Sequence, residues 1–209
     1  MEMAEGMALR ARAKARRHID DRPPLHAPFV LPALLDAAGC DAVVRDVERA
    51  AARRGGWMNA RHAHAATRDL PLHAGVPARR YAALRALLDG VVLPAMRARY
   101  ATRRLRVKEA FVVKYEAGLS SAGLEMHRDG TLLNCVILLS CPTDFEGGGT
   151  AFAPPLGRTW TTAQGAGLCS CGQLQHGAAV VTKGVRYTLI AFIDEEQEVE
   201  EDDEDEDEV

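Results

Sequence analysis

The sequence predicts an α+β domain: a double-stranded β-helix (jelly-roll) core with N-terminal helices packed on one face. Apolar residues recur at helical spacing over residues 31–55 and again from Pro77 to Tyr100. From Arg104 the pattern changes to short runs rich in Val, Ile, Leu, Phe and Thr, separated by Gly, Pro, Ser and Asp clusters. Helices followed by strands is the α+β order, and short strands at this spacing close into a barrel or sandwich rather than a parallel sheet. With 209 residues, 47% of them hydrophobic, the chain can build one domain with a sizeable core.

Taken in order, residues 1–25 form a basic arm, MEMAEGMALRARAKARRH at its start, and are expected to be flexible. The globular domain is expected over 26–194, with its jelly-roll core at about 104–194. The first helix, LPALLDAAGCDAVVRDVERAAARRG, places Pro32 in its first turn and stops at Gly55-Gly56. DLPLH reads as a strand joining the larger sheet. In the second helix Leu84, Leu87, Leu88, Val91 and Val92 make one stripe, and Pro94 is expected to kink or split it. Strands are expected at 106–115, 131–140, 149–153, 157–162, 166–171, 178–182 and 186–194. Residues 195–209 hold 12 of the 29 acids and no Lys or Arg, so they repel one another and are expected to form a disordered acidic tail.

Charge and cysteine usage exclude several classes. Without the tail, residues 1–194 carry 26 basic against 17 acidic side chains. No run approaches the roughly 18 apolar residues of a membrane span, so a protein without a membrane segment is expected. The five cysteines form no disulfide framework, which suits a reducing, cytoplasmic setting. Organelle targeting by the basic N-terminus is the alternative, although Glu2 and Glu5 count against a transit peptide. Cys169 and Cys171 form a C-x-C pair that lacks the second pair a zinc site needs. In a strand their sulfurs face the same side, near the distal histidine of the site described next. No nucleic-acid partner is expected.

The residues able to hold a metal come late in the chain. In LEMHRDG, His127 and Asp129 are two apart at a strand end and can chelate one ion. H-x-D alone is weak evidence. A third ligand, His176, follows 47 residues after Asp129, and Arg186 comes ten residues later. Two imidazoles and a carboxylate on one face leave open the positions that Fe(II) needs for a chelating 2-oxo acid and O2. The distal carboxylate of that acid needs a fixed cation, and the planar fork of Arg186 supplies one. Alternation along RYTLIAFID puts Arg186, Thr188, Ile190 and Phe192 on one face, so the Thr188 hydroxyl lies near the same carboxylate. Lys183 is the rival anchor. His18, His26, His62, His64 and His73 have no carboxylate at ligand spacing, and among them only the H-x-H at 62 and 64 forms a local pair.

FVVKYEAG, LEMHRDG, TLLNCVILLS, DFEGGGTAF and HGAAVVTKGVRYTLIAF together resemble the catalytic domain of the prolyl 4-hydroxylase and lysyl hydroxylase group of Fe(II)/2-oxoglutarate-dependent dioxygenases. The resemblance covers about residues 106–194. It implies an iron held by His127, Asp129 and His176, a 2-oxoglutarate co-substrate anchored by Arg186, O2 as oxidant and ascorbate as reductant. It also places Tyr115 where the family has a tyrosine touching the co-substrate. The implied reaction is hydroxylation of an unactivated C–H bond with succinate and CO2 as co-products, on a peptidyl proline of a peptide or protein substrate. A peptidyl lysine or a small molecule of the same superfamily chemistry is the alternative. A non-catalytic jelly-roll binding module and a cupin-type metal enzyme that does not use 2-oxoglutarate are the readings from outside that reaction class.

Overall fold

The computed structural model describes residues 25, 27–58, 67–102 and 104–196. The basic arm up to Pro24, the H-x-H at 62 and 64, His18, His26 and the acidic stretch from Gln197 lie outside the described residues.

Eleven strands, four α-helices and two shorter helical turns are described, in the order β1 (Phe29–Leu31), α1 (Ala37–Arg53), β2 (Arg68–Pro71), α2 (Leu72–Gly75), α3 (Ala78–Leu87), a π-helical turn (Leu88–Val92), α4 (Leu93–Tyr100), β3 (Leu105–Glu116), β4 (Leu124–His127), β5 (Leu133–Leu138), a 3-10 turn (Pro142–Asp144), β6 (Phe145–Gly147), β7 (Thr150–Phe152), β8 (Thr159–Trp160), β9 (Gly167–Cys171), β10 (His176–Ala178) and β11 (Val181–Glu195). The large sheet runs β1-β9-β5-β11-β3-β2, with β6 also pairing β11; the small sheet runs β4-β10-β7-β8. All pairings are antiparallel. The α+β jelly-roll expected from the sequence is what forms.

Period-two alternation assigns the faces of the large sheet. On β3, Phe111, Val113 and Tyr115 point between the sheets, while Ala110 and Val112 join the helix-side core. On β11, Leu189, Ala191 and Ile193 take the helix side, and Arg186, Ile190 and Phe192 face the interior. A one-residue slip would exchange the two sets, so this apolar pattern fixes the register. The helix-side core buries the α1 stripe of Cys40, Val43, Val47 and Ala50 against Leu133, Ile137 and Leu189. Each such Val, Leu or Ile contributes about 1.5–3 kcal/mol by leaving water.

Local chemistry moved several boundaries. The first helix starts at Ala37 rather than residue 31, because Asp36 caps it by accepting the Gly39 amide at 2.7 Å. Leu31 precedes Pro32 and is held extended, which makes Phe29–Leu31 an unanticipated edge strand on β9. Of DLPLH, Asp69–Pro71 join the large sheet in β2 on β3, while Leu72 and His73 already belong to α2. The Pro94 break is realised as the π-helical turn, with Pro94 in the first turn of α4, where its missing N–H costs nothing. Expected strand 157–162 shrinks to Thr159–Trp160, and expected strand 178–182 is divided between the end of β10 and the start of β11. Glu195, placed in the tail by its charge, pairs with Leu105 as the last residue of β11.

The helix layer is tied to the sheet by Glu48 of α1. It accepts Lys114 Nζ at 2.8 Å, the Tyr187 hydroxyl, and Trp57 Nε1 at 3.4 Å. Burial raises its pKa, but these donors outweigh burial and leave the carboxyl below its ordinary value of 4.5. A depressed carboxyl stabilises the fold above its unfolded pKa and loses that contribution as pH falls through the folded value. Glu48→Gln is therefore expected to be less stable than wild type at pH 7, with the difference closing under acid. Chemical denaturation at several pH values checks this, and a gap that stays constant down to pH 3 would contradict it.

Candidate active site

His127 ends β4 and His176 opens β10, and the two stand directly opposite in the register of the small sheet. That pairing needs Gly177, because a Cβ there would lie 2.5 Å from the Leu124 carbonyl oxygen. Asp129 follows two residues after β4, its amide donating to the Gly172 carbonyl at 2.7 Å. Gly172 is also required, since a Cβ would sit 2.6 Å from the Thr131 carbonyl and 2.9 Å from Asp129 Cβ.

The three side chains converge. One ligand atom from each lies within 4.8 Å of the others. Asp129 Oδ1 is 3.4 Å from His127 Nε2, and Asp129 Oδ2 is 3.5 Å from His176 Nε2. The His127 Nδ1–H donates to the Glu125 carbonyl at 2.7 Å and the His176 Nδ1–H to the Leu174 carbonyl at 2.8 Å. Those bonds fix the tautomer that leaves both Nε2 lone pairs aimed inward, as a metal-bound imidazole requires.

Asp129 is held from behind. Asn134 Nδ2 donates to its Oδ2 at 2.5 Å, and the Ser170 hydroxyl donates to Asn134 Oδ1 at 2.7 Å. Gln173 Nε2 spans the Asp129 and Thr131 carbonyls at 2.7 and 3.0 Å. Burial raises the Asp129 pKa, yet His127, His176 and Asn134 outweigh burial and hold it below the usual carboxylate value. Burial lowers both imidazoles. At His127 the Asp129 carboxylate prevails and the net shift is upward; at the more deeply buried His176 the net shift is downward. A metal ion binds the deprotonated imidazoles and carboxylate, so metal affinity is expected to rise with pH.

These three side chains line one wall of a pocket between the sheets. Across it lie Phe111, Val113, Ile190 and Phe192, with Tyr115 and Arg186 at one side. Arg186 is 6% exposed, and its guanidinium stands 5.4 Å from the centre of the Tyr115 ring. Burial lowers its pKa against an opposing contribution from Tyr115, and no carboxylate among the described residues pairs with it. Gly148 makes room, since a Cβ there would meet Arg186 Cδ at 2.9 Å. Thr188 is fully buried and its hydroxyl has no hydrogen-bond partner among the described residues. A buried cation and an orphan hydroxyl on one strand face suit a ligand carboxylate. Lys183 lies elsewhere, 76% exposed and paired with Glu146 at 2.9 Å.

The sequence singled out three candidate metal ligands together with Arg186, Tyr115 and Thr188, and the fold brings the first five to one pocket, with Thr188 two residues along the Arg186 face. It missed the Asn134–Ser170 support, whose signal was a lone Asn in the apolar run TLLNCVILLS, and the pocket residues Thr67 and Asp69. The sulfurs of Cys169 and Cys171 belong to the helix-side core, on the opposite strand face from Ser170. Burial pushes the Cys171 thiol up to about 11, so it is a poor nucleophile at neutral pH.

The described residues therefore include a His-Asp-His group able to hold a divalent ion. No protein-family model and no curated protein matches the chain by sequence. Solved structures match by fold. A viral collagen prolyl hydroxylase from Paramecium bursaria Chlorella virus-1, solved as its 2-oxoglutarate complex, has TM-score 0.60 and 14% identity over 81% of this chain and 96% of its own. HygX from Streptomyces hygroscopicus, solved with nickel and 2-oxoglutarate, has TM-score 0.60 and 16% identity over 82% of this chain and 83% of its own. The non-haem α-ketoglutarate-dependent carbocyclase SnoK, from nogalamycin biosynthesis, has TM-score 0.61 and 16% identity over 81% of this chain and 80% of its own. The fold is thus that of 2-oxoglutarate oxygenases, in agreement with the resemblance carried by the motifs.

Proposed function

We propose that the protein is an Fe(II)- and 2-oxoglutarate-dependent dioxygenase that hydroxylates an unactivated C–H bond, with a peptidyl proline as first-choice substrate. The observation that carries this reading is a buried guanidinium, Arg186, with no carboxylate partner among the described residues, lining the same pocket as a His-Asp-His cluster. Either feature alone has commoner explanations; together they support an open metal site beside a carboxylate receptor.

His127, Asp129 and His176 would hold the iron, which would supply the redox chemistry that couples decarboxylation of 2-oxoglutarate to oxygen insertion from O2. The carbonyl bonds at both Nδ1 atoms and the Asn134–Ser170 relay hold the donor atoms still, so that little reorganisation accompanies binding. Arg186 and the Thr188 hydroxyl would take the distal carboxylate of 2-oxoglutarate, and Tyr115 would pack along the same co-substrate. The apolar wall of Phe111, Val113, Ile190 and Phe192 excludes water from the reacting C–H bond. Ascorbate would restore iron oxidised in uncoupled cycles.

The viral collagen prolyl hydroxylase among the fold neighbours supports a prolyl peptide, and the DFEGGGTAF block keeps a peptidyl lysine as the alternative. SnoK, a carbocyclase on this fold, keeps a small molecule as the third. The test is to incubate Fe(II)-loaded protein with 2-oxoglutarate, ascorbate and proline-rich peptides, following succinate and peptide mass. Peptide-dependent succinate with one added oxygen on proline is the expected result. Succinate stimulated by lysyl peptides or small molecules, and not by prolyl ones, would retain the reaction class and overturn the substrate.

A further inference from the structure

The glycine turn of DFEGGGTAF takes no part in the proposed chemistry, yet it shapes a second cavity at Arg186. Leu138, Phe145, Gly147, Gly149, Thr161 and Thr162 line that cavity together with Arg186. Arg186 is the one described residue that it shares with the metal pocket, so this side chain is the partition between the two. No other charged residue borders the second cavity among the described residues.

The surroundings hold the two ends of Arg186 unequally. Its stem is gripped by the turn, where a Cβ on Gly148 would lie 2.9 Å from Arg186 Cδ. Its head is not gripped: no hydrogen bond or ion pair joins the guanidinium to a described residue, and the Tyr115 ring centre lies 5.4 Å away. A side chain in a close-packed interior has no such freedom. Backbone keeps the second cavity clear of side chains. Gly147 and Gly149 have φ of +76° and +107°. A Cβ on Gly147 would lie 2.5 Å from the Val180 carbonyl oxygen, and one on Gly149 would lie 2.6 Å from Thr159 Cγ2. Thr161 is exposed and Thr162 half-buried, so the cavity reaches the surface at that end.

A cation backed by close packing measures the length of the acid it binds, because it cannot retreat from a longer one. At Arg186 the second cavity gives the guanidinium room to do so. One added methylene lengthens an acid by roughly 1.3 Å, given C–C bonds of about 1.5 Å at a tetrahedral angle. Small torsional changes spread along the arginine stem cover that displacement. We infer that the second cavity makes Arg186 a movable carboxylate receptor, and that the site accepts the 2-oxo diacid one methylene longer, 2-oxoadipate, with its distal carboxylate still paired to the guanidinium. This rests on the oxygenase reading and deepens it by widening the class of co-substrate.

The experiment titrates the anaerobic Fe(II)-loaded protein with 2-oxoglutarate, 2-oxoadipate and 2-oxohexanoate. Its readout is the concentration of each that half-saturates the visible charge-transfer band produced when a 2-oxo acid chelates iron. A fixed pocket discriminates one methylene by about tenfold or more, so 2-oxoadipate is expected within about tenfold of 2-oxoglutarate. It is also expected to bind at least about tenfold more tightly than 2-oxohexanoate, which matches its length and lacks the distal carboxylate. Thr162→Phe, which fills the second cavity, is expected to weaken 2-oxoadipate about tenfold and to leave 2-oxoglutarate within about twofold. Thr161→Phe makes the same test from the exposed end. A 2-oxoadipate value more than about tenfold above that of 2-oxoglutarate, or no better than that of 2-oxohexanoate, overturns the movable receptor and leaves the oxygenase reading intact. A ratio between the two diacids that neither folded variant changes overturns the role of the second cavity. No band with 2-oxoglutarate in folded, iron-replete protein overturns the oxygenase reading itself.

Discussion

Asp129→Ala is expected to abolish iron binding and turnover together. Asp129 supplies the only carboxylate of the triad and is the point to which both imidazoles and the Asn134–Ser170 relay converge. Its removal leaves two neutral nitrogens and no anionic charge to offset a divalent cation. Losing a mere outer-sphere partner of a metal ligand costs about 10–100-fold in affinity, so loss of the ligand itself is expected to exceed about 100-fold. The fold should survive, because the same substitution also removes a carboxylate that is costly to bury. Iron content after anaerobic loading, circular dichroism and succinate formation measure the three consequences. A folded Asp129→Ala protein that retains stoichiometric iron and substrate-dependent succinate would remove Asp129 from the site.

Arg186→Ala is expected to separate the two cofactors, keeping iron and losing 2-oxoglutarate. The guanidinium touches none of the three ligands through a hydrogen bond or ion pair, so metal affinity should change little. Truncating one partner of a buried, hydrogen-bonded charge pair costs about 2–5 kcal/mol, or roughly 30-fold to several thousandfold in Kd. The measured quantity is the 2-oxoglutarate concentration that half-saturates the charge-transfer band. Lys183→Ala is the matched control: its ammonium is exposed in a surface pair with Glu146, and its loss should leave that concentration unchanged. The reverse pattern, with Lys183 essential and Arg186 dispensable, would move the anchor to the β6–β11 end of the sheet.

What was legible in the sequence follows from what each signal depends on. The candidate metal ligands were visible because H-x-D at a strand end and a histidine on the partnering strand are constraints of period two and antiparallel register, which one-dimensional spacing carries. Arg186 was visible for the same reason, through alternation along RYTLIAFID. Edge strand β1 was hidden because three residues between Pro28 and Pro32 are too short a run for periodicity, and Leu31 also continued the apolar pattern of the helix that follows. The π-helical turn at Leu88–Val92 could be anticipated as a disturbance near Pro94 but not as a type, since its hydrogen-bond shift depends on how α3 and α4 pack. Asn134 and Ser170 were illegible as supports of Asp129 because their contacts come from neighbours brought together across strands, not from their own spacing. Gly172 and Gly177 belong with them: a Cβ at either would lie 2.5–2.6 Å from a carbonyl oxygen on another segment.

The central claim, that one pocket holds both an open metal ion and the carboxylate of a 2-oxo acid, is tested most directly by anaerobic titration of the Fe(II)-loaded protein with 2-oxoglutarate. The expected result is a saturable visible metal-to-ligand charge-transfer band that is absent in His176→Ala. A folded, iron-replete wild-type protein that develops no such band would contradict it and favour a metal-binding jelly-roll that does not use 2-oxoglutarate.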